Sequence, residues 1–339
     1  MKKLPHLLLL LVLVFLGSAC SNDFDLVDEW QDIPIVYGLL SPQDEAHYIR
    51  VEKAFLDPET SALVIAQNPD SLYYQNAAVQ LENLVTGEII DLERVDGNEE
   101  GLEREEGIFA TSPNYLYKFT LGPDERLEGG SRYRLTINRG DNLPLVTAET
   151  TILEDFSTTR PNMVRPLEWA DYNTTQKVLW RAEPNAFIFD VRLLIHIQEE
   201  DPNNPSELIP RTLDWLVVKN LRKDESVDGT QQLRLEISGR DFYNFIGAEL
   251  SDGANVRRFF VSYDYVIDAG GVELRDFLDL GNANTGITSS QIIPTYTNLS
   301  EGRGLFTSRN SFTFEGFTLT SNSLDSLKFG EFTKDLNFQ

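Results

Sequence analysis

The sequence predicts a mainly β protein, with a β-sandwich in the first half and a second β-rich domain carrying a minor helical element after it. Three observations lead there. Apolar residues recur at every second position through many short segments, Gly, Pro, Asn and Asp punctuate those segments, and clear helical periodicity is confined to residues 241–250. At 339 residues, with 41% hydrophobic and 11% aromatic content, the chain has the make-up of a globular protein. Its length suits two domains, each burying its own core.

In the first half, Ile33–Leu40 is a continuous apolar run that reads as a strand. Residues 48–55 alternate, with Ile49, Val51 and Phe55 on one face and Arg50 and Glu52 on the other. Val79 and Leu81 repeat the alternation before a Thr86-Gly87 turn, and residues 89–92 follow. Tyr115, Tyr117, Phe119 and Leu121 then share a face, as do Tyr133, Leu135 and Ile137, and residues 145–152 close the set. Seven short strands in series predict a sandwich. Between the second and third of them, residues 58–74 break the pattern; 61–67 suits a helical turn or two inside a loop packed over a sheet edge.

Pro161 and Pro166 bracket a stretch without periodicity, so 156–168 is read as a linker between domains at 32–155 and 169–339. Beyond it, residues 186–198 alternate most strictly, with Phe187, Phe189, Val191, Leu193, Ile195 and Ile197 on one face. Further strands are expected at 215–218, 233–237 and 259–267. Phe242, Phe245, Ile246 and Leu250 mark the apolar side of a short helix. Past Asp268 the chain is rich in Gly, Asn, Thr and Ser, and no element is assigned.

The N-terminus has the anatomy of a secretory signal: Lys2 and Lys3, an apolar run at 7–16, then Gly17, Ser18 and Ala19 before Cys20. The apolar run is far shorter than the roughly 20 residues a membrane-spanning helix needs. Cys20 is the only cysteine, which excludes an internal disulfide. The arrangement resembles the lipobox of bacterial lipoproteins, with Leu16 one position further from the cysteine than is usual and Gly17 in its place. The resemblance implies a signal peptide at 1–19, a lipid anchor on Cys20 and a tether at 20–31. Several acyl chains on one residue hold firmly, at about 0.8 kcal/mol per buried methylene. Asp23 and Asp25, just behind the cysteine, resemble the signal that sends Bacteroidota lipoproteins to the outer face of the outer membrane.

Leu127-Glu128-Gly129-Gly130-Ser131-Arg132-Tyr133 resembles the tyrosine corner of fibronectin type III and related domains. It implies an immunoglobulin-like sandwich at 32–155 and a structural, non-catalytic Tyr133. The run from Ile292 through Tyr296, Asn298, Gly302, Gly304 and Phe306 to Arg309 is similar to a segment of a Bacteroidota outer-membrane lipoprotein family of unknown function. Asp70-Ser71-Leu72-Tyr73-Tyr74 and the Gly-Gly approach to Tyr133 fit the same family. Membership implies a two-part body, an outer-membrane address and association with TonB-dependent nutrient-uptake systems, and carries over no catalytic residue.

Chemistry is sparse. Against 54 acidic residues stand 29 basic ones, a formal charge of −25 that repels phosphate backbones and excludes nucleic acid as a partner. Past the signal only His47 and His196 remain. His47 is placed on the Arg50 and Glu52 side of its strand or just before that strand, and His196 on the polar side of its own, both as surface or cross-strand residues. No zinc motif, phosphate loop or Gly-x-Ser-x-Gly elbow is present, so no catalytic residue, metal or cofactor is expected. Glu99, Glu100, Glu103, Glu105 and Glu106 suit a solvated hairpin loop and lack calcium-loop spacing. Ser71 and Ser326, each in Asp-Ser-Leu, resemble acceptors for O-glycosylation in exported Bacteroidota proteins. Arg303 and Arg309 are read as neutralising nearby carboxylates. The functional expectation is a non-enzymatic binding or accessory module on the outer membrane. A structural or adhesive envelope protein is the alternative, and a carboxylate hydrolase, needing two acids about 5 to 10 Å apart across a cleft, ranks third.

Overall fold

A computed structural model describes residues 33–54, 61–140, 142–161, 166–224, 226, 229–250, 256–283 and 295–339. Cys20, the signal, the tether and Phe55 lie outside them. The protein is mainly β. The first half contributes β1 (Ile33–Leu40), β2 (Ala46–Ala54), helices α1 (Ala62–Ala66) and α2 (Pro69–Leu72), β3 (Ala78–Asn83), β4 (Ile89–Asp96), β5 (Tyr115–Thr120), β6 (Arg132–Asn138) and β7 (Val146–Thr151).

Alternation decides which face each strand buries. Val36 and Leu40 of β1, Ile49 and Val51 of β2, Leu135 and Ile137 of β6 all point into one core. The strands run β1-β2-β5-β4 on one side and β4-β3-β6-β7 on the other, the order of an immunoglobulin-like sandwich. β4 belongs to both sheets: its first half pairs with β3 from Ile89 to Leu92, its second half with β5 from Glu93 to Asp96. The tyrosine corner forms, with the Glu128 amide donating to the Tyr133 hydroxyl at 3.2 Å and the Asn83 side chain donating to it at 3.2 Å.

The second half contains β8 (Ser157–Arg160), β9 (Thr175–Ala182), β10 (Ile188–Asp201), β11 (Asn204–Arg222), β12 (Gln231–Ser238), α3 (Gly239–Glu249), β13 (Arg258–Gly270), α4 (Val272–Ala283), β14 (Arg303–Phe317), α5 (Ser321–Phe329) and a closing 3-10 turn (Lys334–Leu336). Part of the stretch read as a linker is therefore a strand, β8, which pairs with β9. The segment past Asp268, left without elements by its composition, carries α4, β14 and α5. α3 starts as its sequence requires, with Ser238 capping the Asp241 amide, and buries Phe242, Tyr243 and Ile246 against Trp169 and Tyr263.

One strand joins the halves. β14 pairs in parallel with β1 from Arg303 to Ser308, then antiparallel with β13 from Arg309 to Phe317, so a single sheet of 11 strands runs from β11 to β7. On its way in, the chain also lies along β7: Ala148 bridges Leu299 and the Ser300 amide donates to Thr147 at 2.7 Å. The edge of the sandwich between β1 and β7 is thereby closed by residues 297–308, whose Leu299 and Phe306 belong to the first core. Close approach needs glycine here. Gly304 sits at φ +132°, where any Cβ would collide with the backbone of Val36.

Candidate functional site

The outer face of the joined sheet is apolar where β1 and β14 meet. β1 was legible as a strand from an unbroken apolar run, and the structure explains the missing alternation: its outward residues, Tyr37 and Leu39, are 44% and 41% exposed and floor a trough of ≈ 530 Å³. Leu116 of β5, Leu305 of β14, Leu274 of α4 and Leu102 from the 97–114 loop complete its apolar lining, with Tyr48, Arg50 and Glu103 on the polar side. A second cavity of ≈ 140 Å³ shares Leu39 and Leu274 and continues past Asp268 and Arg309 over β13 and β10. Together they form one groove spanning both halves.

Charges on and around its polar side form pairs. Arg50 donates to Glu52 at 2.8 Å and to the Asn114 side-chain oxygen at 3.0 Å, and Arg104 reaches the same carboxylate at 2.9 Å. Glu100 accepts from Lys118 at 2.6 Å and from the Tyr48 hydroxyl at 3.0 Å, bonds that pull its carboxyl below the usual range. The acidic loop expected to be solvated is thus pinned to β2 and β5 through Glu100 and Arg104, because β5 offers the Lys118 cation and β2 the Tyr48 hydroxyl and the Glu52 carboxylate.

The same loop packs on the α1–α2 insertion. The Ala110 amide donates to the Ala66 carbonyl at 2.8 Å and the Gln67 side chain to the Ile108 carbonyl at 2.6 Å, over a small cluster of Leu72, Tyr73 and Ala110. The pair leaves Leu63, Val64 and Ile108 more than half exposed, at 61%, 64% and 57%, beside a partly exposed Phe109. Monomers rarely leave contiguous apolar groups open without a use for them.

Of the residues singled out by sequence, few meet at this groove. Arg309 lines its second part and pairs with Asp44 at 3.2 Å, a local neutralisation, while Arg303 bonds the Thr295 hydroxyl. His47 requires a correction of face: it shares the parity of Ile49 and Val51, not of Arg50, and lies buried with its ring stacked on Phe119 at 4.5 Å. Burial lowers its pKa, so it is a neutral core residue at pH 7. His196 is cross-strand, held between Thr212 at 2.9 Å and Asp264 at 2.7 Å. Ser71 lies half-buried in α2; Ser326 lies in α5 and donates to the Ala170 carbonyl at 2.7 Å. The groove residues were hidden from sequence reasoning because Leu39, Leu102, Leu274 and Leu305 come from four separate segments.

Two carboxyls are pushed up by burial. Glu273, at the start of α4, accepts from Thr150 and Thr307 at 3.2 Å each and so ties α4 to β7 and β14; its pKa is raised. Glu183 is pushed up to about 7, first by burial and then by Glu154, against hydrogen bonds from Asn185 and the charge of Lys223. Neither lines the trough or the cavities beside it. For Glu183 the raised folded value means that the folded state binds more protons between the unfolded value of 4.5 and about 7, so stability falls as pH rises through that window. Glu183→Gln removes the penalty. The variant is expected to gain up to about 3 kcal/mol over the parent at pH 8 and almost nothing at pH 4.5, read by urea unfolding at both pH values; an equal gain at both would show that ionisation is not the cause.

No family model matches the chain, and no curated protein matches it.

Proposed function

We propose that the chain is a bacterial outer-membrane lipoprotein, anchored through Cys20 after loss of residues 1–19, whose body is a non-enzymatic binding or accessory module. The signal anatomy and the lipobox-like placement of Cys20 support the address. The association with a TonB-dependent uptake system is supported by the family resemblance of residues 292–309. Among the described residues no helix is long and apolar enough to cross a bilayer, so a helical anchor would have to lie elsewhere in the chain.

The observation that carries the binding part is the apolar surface formed by the two packed insertions and the trough that Leu102 connects to them. A sandwich held together by its core has no need to expose Leu63, Val64, Ile108 and Phe109 on neighbouring loops; a partner that covers them does. The test is photocrosslinking in the parent cells, with p-benzoylphenylalanine replacing Phe109, Leu39 or, as an exposed control, Val85. Adducts with one outer-membrane protein are expected from positions 109 and 39 and not from 85, and they should vanish in Cys20→Ala. Adducts from none of the positions, or equally from all three, would refute a dedicated binding surface and leave the structural or adhesive reading. Mass spectrometry of the N-terminal peptide tests the anchor separately.

A further inference from the structure

The small sheet β12-β9-β8 carries the opposite charge from the molecule around it. The whole chain has a formal charge of −25, yet Glu236 is the single acidic residue in these three strands. Alternation turns Val178, Trp180, Ala182, Leu233 and Ile237 into the second core and sets Arg160, Lys177, Arg181 and Arg234 on the exposed face. The register clusters them. Arg160 of β8 and Arg234 of β12 both pair with Leu179 of β9, so they flank it at about 5 Å on either side, while Lys177 and Arg181 lie two residues away along β9. Arg234 is hydrogen-bonded to Glu236. Glu236 stands opposite Lys177 in the register, but its carboxylate bonds Arg234, and among the described residues no salt bridge joins a carboxylate to Arg160, Lys177 or Arg181.

Like charges on neighbouring strands repel, and an acidic protein has many carboxylates with which to relieve them. Here they are left for an outside anion. A cavity of ≈ 610 Å³ opens at the same place, lined by Arg160 and Lys177 together with Thr159, Thr175 and Gln176, with Pro161 and Leu167 as its apolar part. That volume is the size of a small-molecule site. Hydroxyl, amide and cationic groups around a short apolar wall suit a ligand that is polyhydroxylated, has a ring face and bears negative charge. We propose that this face and its cavity bind an acidic saccharide, one carrying carboxylate or sulfate groups. An anionic lipid surface would engage the cations without requiring the cavity. The proposal is independent of the apolar groove.

The test uses the full mature chain and three probes: heparin for sulfate, polygalacturonate for carboxylate and dextran as the neutral control, by isothermal titration at low and high salt. Binding to at least one acidic polymer and not to dextran is expected, weakening with salt. Arg160→Gln/Lys177→Gln/Arg181→Gln should weaken it by about tenfold or more, whereas Lys328→Gln, a cation elsewhere on the surface, should not. Thr175→Phe, which fills the cavity without changing charge, should weaken it as well. Failure to bind either acidic polymer overturns the proposal, as does binding unchanged in the triple variant. Vesicles containing phosphatidylglycerol supply the remaining arm: tight vesicle binding that is insensitive to Thr175→Phe would assign the face to a membrane and overturn the saccharide.

Discussion

Phe306→Ala is expected to destabilise the first half of the molecule by about 3 to 5 kcal/mol, although Phe306 belongs to the last strand. Its ring is fully buried in the first core and lies over Gly38, where a Cβ would meet the ring at 2.9 Å. Removing it leaves a cavity between the inward faces of β1 and β2 that the closed edge of the sandwich cannot collapse to fill. Urea unfolding gives the magnitude. Hydrogen exchange gives the place: amides of β1, β2 and β6 should lose protection while those of β10 keep theirs. Unchanged exchange in β1 would mean that β14 does not support the sandwich.

Glu199→Ala is expected to cost about 3 kcal/mol for a different reason. Arg258, at the start of β13, is buried; its guanidinium donates to Glu199 at 2.7 Å and to the Leu336 carbonyl at 2.8 Å. Its backbone pairs with the last residues: the Arg258 amide donates to the Asn337 carbonyl at 3.1 Å and the Gln339 amide donates to the Arg258 carbonyl at 2.9 Å. Taking away the carboxylate removes the counter-charge at the Nε of a buried cation, and a buried charge that loses its counter-ion costs more than the lost attraction alone. Arg258→Met in the same background should therefore recover part of the loss. If the double variant is no more stable than Glu199→Ala, the buried charge of Arg258 is not the cause. The figure is kept at the lower end because Glu199 is partly exposed and also faces Arg211 at 3.5 Å.

The elements that could be read in the sequence are those whose pattern is local. β1 was read with its bounds, β6 and the alternating part of β10 with their buried faces, and α3 from residues at helical spacing, because side-chain parity and the 3.6-residue turn act over a few positions. The tyrosine corner was legible for the same reason, since its hydrogen bond joins residues only five apart, Glu128 and Tyr133. β14 was missed. Its outward positions are polar or charged except Leu305, and its glycines, Gly304 and Gly316, add to the Gly, Asn, Thr and Ser content that left the segment without an assigned element.

What the sequence determined by itself is the mainly β class, the sandwich of the first half and the inward residues of most strands. Only the tertiary structure decided that the chain returns to close the first sandwich and that Leu39, Leu102, Leu274 and Leu305 share one groove. It also decided that His47 is buried and that Arg160, Lys177, Arg181 and Arg234 meet on one face. The reason is physical: periodicity is set by neighbours along the chain, whereas parallel pairing of β1 with β14, the groove and the basic face depend on loop closure between segments far apart in sequence. No local spacing records which distant strand will lie alongside.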